Sequence, residues 1–173
     1  KGAKTCQLTV DGRPMHRSSG GFCTAPFGPS NFEKDALATR QNLELRVTKE
    51  LEAYFDEFDA RAVEYLSANS ERLFKKQLTV AQLKEQCHSP VRHSEQYDPL
   101  LRSTINTSGG RATRFWDTEG KVLAYPENLK GARLVPRLHV SHLWIMGTSC
   151  AFAVNVTDMR LEEVPIVECP FAM

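Results

Sequence analysis

The sequence predicts an α+β domain in which a small, mostly antiparallel β-barrel carries a long helical insertion at about 48–88. Basic and apolar residues alternate from 133 to 140, and a second β-rich run follows Gly147. Between 48 and 69, apolar residues recur every three or four positions, which is the spacing of an amphipathic helix. Turn residues separate shorter β-rich runs elsewhere. The 173 residues are enough for one domain, 1–173, with a substantial core.

The stretch 129–164 has the clearest strand pattern. Because side chains of a strand point alternately to opposite faces, its first strand has a basic side and an apolar side. The basic side holds Arg133, Val135, Arg137 and His139, and the apolar side holds Leu134, Pro136, Leu138 and Val140. A cationic sheet face of this kind, with Trp144 further along, suits single-stranded nucleic acid. A plain hairpin of a folded core would show the same alternation.

The N-terminal part is predicted to contain two strands and a loop. Residues 4–10 form a short strand that ends at the Asp11-Gly12 turn, and residues 42–47 alternate as a half-buried strand. Glycine, proline and serine concentrate in 13–30, which predicts a loop. This basic loop, with Phe22 and Phe27, either clasps nucleic acid or is a surface connection pinned by two buried rings.

Two helices are predicted between the strands. Thr48 caps the first, which extends to about Asn69 and has one wide apolar face. That face comprises Leu51, Tyr54, Phe55, Phe58, Ala62, Tyr65 and Leu66. Asp56 and Asp59 are interpreted as solvated surface charge rather than metal ligands. Thr79 and Gln82 have capping-box spacing and predict a second helix over 80–87.

The segment 101–125 is predicted to form a meander. Runs 101–107 and 111–116 flank Ser108-Gly109-Gly110 as a hairpin, and 121–125 follows a turn at 117–120. Phe115 and Trp116 are adjacent, so one of the two rings faces away from the core. That ring either packs beneath a loop or stacks on a base, which would contribute about 1–3 kcal/mol.

Charge is sorted along the chain although the net charge is only +1. Residues 101–147 contain seven lysines and arginines against three acidic residues, whereas residues 48–71 contain two against seven. A protein held to nucleic acid by bulk charge would be strongly basic. Any nucleic-acid binding must therefore depend on the local cationic region.

The five cysteines, Cys6, Cys23, Cys87, Cys150 and Cys169, are odd in number and scattered. Without C-x-x-C spacing they predict reduced thiols, an intracellular location and no zinc site. No apolar run approaches the ~20 residues that span a bilayer, and the first residues show no secretory pattern. No nucleotide-binding glycine motif appears, so no cofactor is predicted.

The stretch LKGARLVPRLHVSHLWIMGTSCAFAVNVTDMRLEEV resembles the last strands of OB-fold single-stranded-DNA-binding proteins of phages and large DNA viruses. There, a basic–apolar strand, a turn with glycine, an apolar strand and a short acidic segment follow in that order. FGPSNFEKDALATRQNLELRV and SGGRATRFWDTEG are similar in style. The resemblance implies an OB-like barrel. It also implies cations and rings at the binding face, at Arg114, Trp116, Arg133, Arg137, His139 and Trp144.

We therefore expect sequence-independent binding of single-stranded DNA, or of RNA, by a cationic and aromatic sheet face that protects strands in DNA replication or recombination. The expected contacts are Arg102, Arg111, Arg114, Phe115, Trp116, Lys121, Arg133, Arg137, His139 and Trp144. Replication proteins are expected at the acidic helix 48–69 or at the C-terminal tail, and homo-oligomers are expected as well. The expected location is the nucleus or a viral replication compartment.

Two other functions fit the same patterns. The first is a protein-interaction or structural assembly module without nucleic-acid binding, in which the cationic strand meets an acidic partner. The second is a nuclease. It ranks lowest, and no enzymatic activity is predicted, because no carboxylate cluster or Ser, Cys and His arrangement has catalytic spacing.

Overall fold

The computed structural model describes residues 3–31 and 39–162, which form an α+β fold as predicted. The strands are β1 (Lys4–Gln7), β2 (Thr9–Val10), β3 (Arg13–Ser18), β4 (Cys23–Thr24), β5 (Arg40–Arg46), β6 (Cys87–His88), β7 (Val91–Arg92), β8 (Leu100–Asn106), β9 (Arg114–Trp116), β10 (Val122–Leu123), β11 (Arg133–Met146) and β12 (Ser149–Leu161). The helices are α1 (Lys49–Ala68), α2 (Ser70–Phe74) and α3 (Val80–Gln86).

The long hairpin of β11 and β12 organises the sheet. The two strands pair antiparallel over their whole length and turn at Gly147, whose φ of +65° lies in the left-handed region that favours glycine. On the first half of β11, Leu134 and Leu138 are fully buried, whereas Arg133 and Arg137 are exposed. The predicted hairpin and its basic and apolar faces are confirmed.

A β-bulge at Ser141 changes which residues of β11 are exposed. The register against β12 shifts between Val140 and His142, and both residues that separate the buried Val140 and Leu143 are partly exposed. One extra residue in a strand turns the following side chains to the opposite face. His142 and Trp144 therefore lie on the same exposed side as His139.

The sheet is mixed, with antiparallel pairings in the majority. β12 pairs in parallel with β6, β8 and β9, and the other pairings among the described strands are antiparallel. Starting from β12, pairings lead through β8, β5, β4 and β11 and return to β12. This closed circuit surrounds the main core, in which Leu43, Leu101 and Leu138 are fully buried.

The helices cover this core and a second, smaller one. Phe55 of α1 packs in the main core, while Val63 and Leu66 pack with Leu143 and Ile145 in the second. Thr48 caps α1 by accepting a hydrogen bond from the Leu51 amide at 3.2 Å, and Thr79 and Gln82 form the predicted capping box of α3. Tyr65, predicted to be on the apolar face, is 61% exposed, because the buried positions of α1 follow the row 51, 55, 63 and 66.

The prediction of a loop over 13–30 is wrong for two of its segments, one of which is the short strand β4. Arg13–Ser18 forms β3, which pairs antiparallel with β11 from Met15 to Ser18. The free edge of β11 satisfies the backbone groups of this segment, and such pairing overrides a local preference for turns.

The predicted hairpin between 101–107 and 111–116 is also wrong. β8 and β9 both run parallel to β12, with Asn155 opposite Thr104 and Asp158 opposite Arg114. The turn between them therefore displaces the chain along β12 without reversing its direction. β9 and β10 do form the expected antiparallel hairpin across the turn at 117–120.

Cys87 and Cys150 form a disulfide, so the prediction of reduced thiols is wrong for this pair. They are 63 positions apart in sequence and come together because β6 pairs with the start of β12. Cys6 and Cys23 are free. Burial raises the pKa of the Cys23 thiol, although its contacts with Ser19 and Thr48 oppose this effect.

Some predictions fall on residues outside the described ranges. The C-terminal tail, Cys169 and part of the approach to β5 (32–38) are among them. Within 3–31 and 39–162, no helix has the length and apolarity needed to cross a membrane.

Candidate nucleic-acid interface

A polar cleft of about 820 Å³ lies beside β11 and β12, between β1 and the segment that joins β8 to β9. Three of the predicted contact residues, Arg111, Arg114 and His139, line it. Arg111 comes from the segment before β9, Arg114 from β9 and His139 from β11, so tertiary structure brings them together. The two guanidinium groups and the imidazole can donate hydrogen bonds to phosphate oxygens.

Several lining residues were missed at the sequence level. They are Thr5, Gln7, Asn106, Gly110, Ala112, Ser141, His142, Asn155, Val156 and Thr157. Asparagine, glutamine and hydroxyl side chains are common on any surface, so residue type alone did not mark these positions as part of a site. The bulge at Ser141 is what turns His142 toward the cleft.

Most of the predicted cations are held by carboxylates. On the periphery the pairs are Arg133–Glu162 at 2.9 Å, Lys121–Glu119 at 3.6 Å and Arg102–Glu44 at 3.9 Å. Exposed pairs of this kind contribute about 0–1 kcal/mol each and are readily exchanged for another anion. Arg102, Lys121 and Arg133 do not line the cleft.

Asp158 on β12 is the centre of a tighter network. Its Oδ1 atom lies 2.8 Å from Arg114 Nη2 and accepts a hydrogen bond from Trp116 Nε1 at 3.1 Å. Arg137 Nη1 lies 3.8 Å from Oδ2. Burial alone would raise the pKa of Asp158. Hydrogen bonds from Arg114, Trp116 and Thr157 outweigh burial and hold that pKa below its ordinary value.

Arg111 differs from the other predicted arginines and lysines. Among the described residues, no carboxylate oxygen lies within 4.0 Å of its guanidinium, although it lines the cleft. A cation that has no anion in the folded protein attracts an anionic ligand without first giving up a partner. The cleft therefore has on its wall a positive charge that no described carboxylate compensates.

The predicted aromatic residues have different environments. Phe115 is 2% exposed and packs edge-on against Tyr125, so it is a core side chain and its prediction as a contact residue is corrected. Its neighbour Trp116 is half-buried, with the Arg114 guanidinium 5.6 Å from its ring centroid. Trp144 is also half-buried, opposite Thr5 of β1. Neither tryptophan lines the cleft.

The loop aromatics are more accessible than the buried-ring interpretation implied. Phe22 is 39% exposed and lies beneath the guanidinium of Arg133 at 5.0 Å from its ring centroid. Phe27 is 54% exposed. Both rings therefore have surface on which a base could stack.

Two histidines, His139 and His142, line the cleft. The rings of His16 and His139 stack with their centroids 4.7 Å apart, in register across β3 and β11. Ser141 Oγ lies 2.9 Å from His142 Nδ1. Burial lowers the pKa of His139, and the positive charges of His16, Arg111 and His142 lower it further.

One group of side chains outside the cleft has atoms of the metal-ligating type. Glu52, Asp56 and His93 place such atoms within 4.8 Å of one another on α1 and after β7. His93 Nδ1 lies 3.4 Å from Glu52, and Nε2 lies 3.3 Å from Asp56. His93 thus lies between the two carboxylates, within ion-pairing distance of both.

Comparison with known proteins identifies this architecture. No family model and no curated protein sequence matches the chain. The structure is similar to that of gp2.5, a single-stranded DNA binding protein encoded by bacteriophage T7, with a TM-score of 0.55 and 12% identity over 87% of each chain. It is also similar to the single-stranded DNA-binding protein from bacteriophage Enc34, solved with ssDNA, with a TM-score of 0.53 and 11% identity over 91% of this chain and 89% of that one.

The chain has the fold of these phage proteins. The resemblance expected from 129–164 is thereby confirmed at the level of fold, and it extends over most of the chain. At this low sequence identity, the likeness concerns the course of the backbone, and the chemistry must be argued from this chain's own residues.

Asp158→Asn is expected to strengthen binding of single-stranded DNA while it weakens folding. The substitution removes a negative charge that holds Arg114 and Arg137, and two unit charges 4 Å apart interact by about 1 kcal/mol in water, or about fivefold in affinity. Loss of the charge-assisted hydrogen bonds should lower the free energy of unfolding by about 1–2 kcal/mol. Anisotropy with labelled oligo-dT and urea denaturation measure the two effects.

The control for this variant is Glu85→Gln, which makes the same change of charge at an exposed position on α3. Because the pKa of Asp158 is lowered in the folded state, its contribution to stability is complete above its ordinary pKa of 3.8 and is lost as the pH falls. Asp158→Asn should therefore flatten the acid limb of the stability profile. Weaker DNA binding by this variant would show that Asp158 positions the arginines productively rather than competing with DNA.

Proposed function

We propose that this chain binds single-stranded DNA, without sequence preference, in the cleft and along the adjacent exposed face of β11. The observation that carries the proposal is the charge of Arg111, which has no carboxylate partner among the described residues and shares one cleft with Arg114 and His139. The fold is that of two phage proteins described as single-stranded-DNA-binding, which supports the same ligand. A single strand fits this arrangement because its backbone is flexible and its bases are free to stack.

Phosphates and bases would be bound by different residues. Arg111 and Arg114 would hold phosphates within the cleft, and Arg137 and Arg133 would extend the cationic path along β11 after exchanging their carboxylate partners. Trp116, Trp144, Phe22 and Phe27 are the rings proposed for stacking. Arg102 and Lys121 lie outside the cleft and would contribute only long-range attraction. Contacts of both kinds are insensitive to base identity.

The closed circuit of strand pairings is proposed to be an OB-like barrel, with the helical segment as its insertion. Binding of this kind protects single strands during replication or recombination and needs no catalytic group, so we propose a non-enzymatic role. An intracellular site, the nucleus or a viral replication compartment, follows from this role. The cysteines no longer support an intracellular location, because a disulfide is typical of oxidising compartments.

The acidic surface of α1 is proposed as the contact for a replication protein. Glu50, Asp56, Glu57 and Glu64 are exposed on this helix. A surface of this sign repels DNA and directs the strand toward the cationic cleft. A homo-oligomer and a contact through the C-terminal tail remain further proposals.

Binding to labelled oligo-dT and to duplex of equal length, measured by anisotropy at two salt concentrations, tests the proposal. We expect preference for the single strand and an affinity that falls with salt, with a logarithmic slope of about −0.7 for each phosphate held. Quenching of tryptophan fluorescence would report stacking near Trp116 or Trp144.

Absence of binding at low salt would refute the proposal. The chain would then be better described as a protein-interaction or assembly module, whose association with an acidic partner does not respond to oligonucleotide. Metal-dependent cutting of the labelled strand would point to a nuclease instead.

A further inference from the structure

Two imidazoles, those of His139 and His142, line one end of the cleft, and the His16 ring stacks on His139. His16 and His139 stack across β3 and β11, and His142 follows on β11 beyond the bulge. Within the described part of the chain, none of the three lies within ion-pairing distance of a carboxylate. Arg111, which also has no carboxylate within 4.0 Å in that part, lines the same cleft.

We infer that His139, His142 and Arg111 form the seat of one backbone phosphate, and that filling this seat takes up a proton. The inference rests on the proposed function, since it names the chemistry by which the same cleft would hold a strand. A phosphodiester keeps its single negative charge across the neutral pH range. Any proton taken up on binding must therefore bind to the protein. An imidazole is the side chain suited to accept it.

The groups that surround His139 are cationic or neutral. β3 contributes His16, the segment before β9 contributes Arg111, and β12 contributes Asn155 directly opposite. On β11 itself, His142 is the nearby titratable group. Among residues 3–31 and 39–162, no carboxylate oxygen lies within 4.0 Å of the His139 ring to stabilise an imidazolium before the ligand arrives.

The surroundings of His142 are similar. Gln7 of β1 is paired with His142 across the two strands, and Ser141 Oγ contacts the Nδ1 atom of His142. The carboxylate of Asp158, further along β12, is already held by Arg114 and Trp116. Within the described part of the chain no free carboxylate completes this end of the cleft, and the phosphate of a ligand supplies such an anion.

Protonation and phosphate binding are coupled because each stabilises the other. In the free protein, burial and the neighbouring positive charges favour neutral His139. A phosphate beside the ring favours the imidazolium and raises its pKa. Between the free and the bound pKa values, binding takes up a proton, and affinity rises up to about tenfold for each unit by which the pH falls.

Stability should change in the opposite direction. The pKa of His139 is lowered in the folded state, so the unfolded chain binds the proton more readily. The contribution of this residue to stability is complete above its ordinary pKa of 6.5 and is lost as the pH falls below that value. Any tightening of DNA binding by His139 at lower pH is therefore not a result of this residue stabilising the fold.

The test measures oligo-dT affinity by anisotropy at about pH 8 and about pH 6, at constant ionic strength. Calorimetry at about pH 7 in two buffers of different ionisation enthalpy counts the protons taken up and needs no variant. We expect about three- to tenfold tighter binding at the lower pH, with an uptake of about 0.3–1 proton. His139→Gln should lose most of this pH dependence. His88→Gln, an exposed histidine on β6, should retain it.

The outcomes separate this inference from the function on which it rests. Salt-sensitive binding with the same affinity at both pH values and no proton uptake overturns the phosphate seat and leaves DNA binding intact. Absence of binding at both pH values overturns both. A pH dependence that persists when His139 and His142 are both replaced by glutamine places the proton elsewhere and also overturns the seat.

Discussion

Arg111→Glu is expected to weaken binding of single-stranded DNA about 30- to 100-fold, because it reverses the charge of the one predicted arginine or lysine contact that has no described carboxylate partner. The change removes an attraction of about 1 kcal/mol and adds a repulsion of similar size, and the low-dielectric wall of a cleft strengthens both. The salt dependence should become shallower, by about 0.7 in logarithmic slope for one lost phosphate. Anisotropy with labelled oligo-dT over a range of salt concentrations measures both quantities.

The matched control is Lys76→Glu, which makes the same change in net charge at an exposed position between α2 and α3. If binding depended only on the net charge of the molecule, the two variants would be equally weak. Equal affinities of Arg111→Glu and the unmodified protein for oligo-dT would show that the cleft is not the binding site. Because Arg111 makes no ion pair with a described residue, its replacement should leave the thermal midpoint of unfolding nearly unchanged.

Loss of the Cys87–Cys150 disulfide is expected to lower the free energy of unfolding by about 4 kcal/mol. The two cysteines close a loop with a sequence separation of 63, and a long closed loop restricts the unfolded chain strongly. Urea denaturation of the unmodified protein, with and without reductant, and of Cys87→Ser measures the difference. Cys6→Ser is the control, since Cys6 is free and partly exposed.

The disulfide and the cleft should act independently. Cys87 and Cys150 do not line the cleft, so reduction should leave oligo-dT affinity unchanged under conditions in which the protein stays folded. Stability that does not respond to reductant would mean that the two sulfur atoms are unbonded in solution. In that case no covalent bond would join the helical segment to β12, and only the pairing of β6 with β12 would hold them together there.

Local periodicity was sufficient for the elements that depend on neighbouring residues. The alternation from Arg133 to Val140 predicted both faces of β11, and Gly147 marked the turn that the structure shows. Thr48 and Thr79 predicted where α1 and α3 begin, because a capping hydrogen bond joins residues only three positions apart. In each case the interaction that decides the structure lies within one turn or one strand.

The candidate site was only partly predictable. Arg111, Arg114 and His139 were selected for charge and strand position, and the structure brings them to one cleft. Phe115 was selected as one of two adjacent rings, and only the packing of Tyr125 shows that it faces inward. The bulge that exposes His142 is visible only as a shift of register between two strands.

The sequence by itself determined the α+β class, the central hairpin, the long helix and the separation of cationic from acidic regions, since these follow from spacing along the chain. Tertiary structure alone decided that β8 and β9 lie parallel to β12, that Cys87 meets Cys150, and that Asp158 holds Arg114. The physical reason is the same in each case. These contacts join residues more than 40 positions apart, and they form because the parallel pairing of β6, β8 and β9 with β12 brings distant segments side by side.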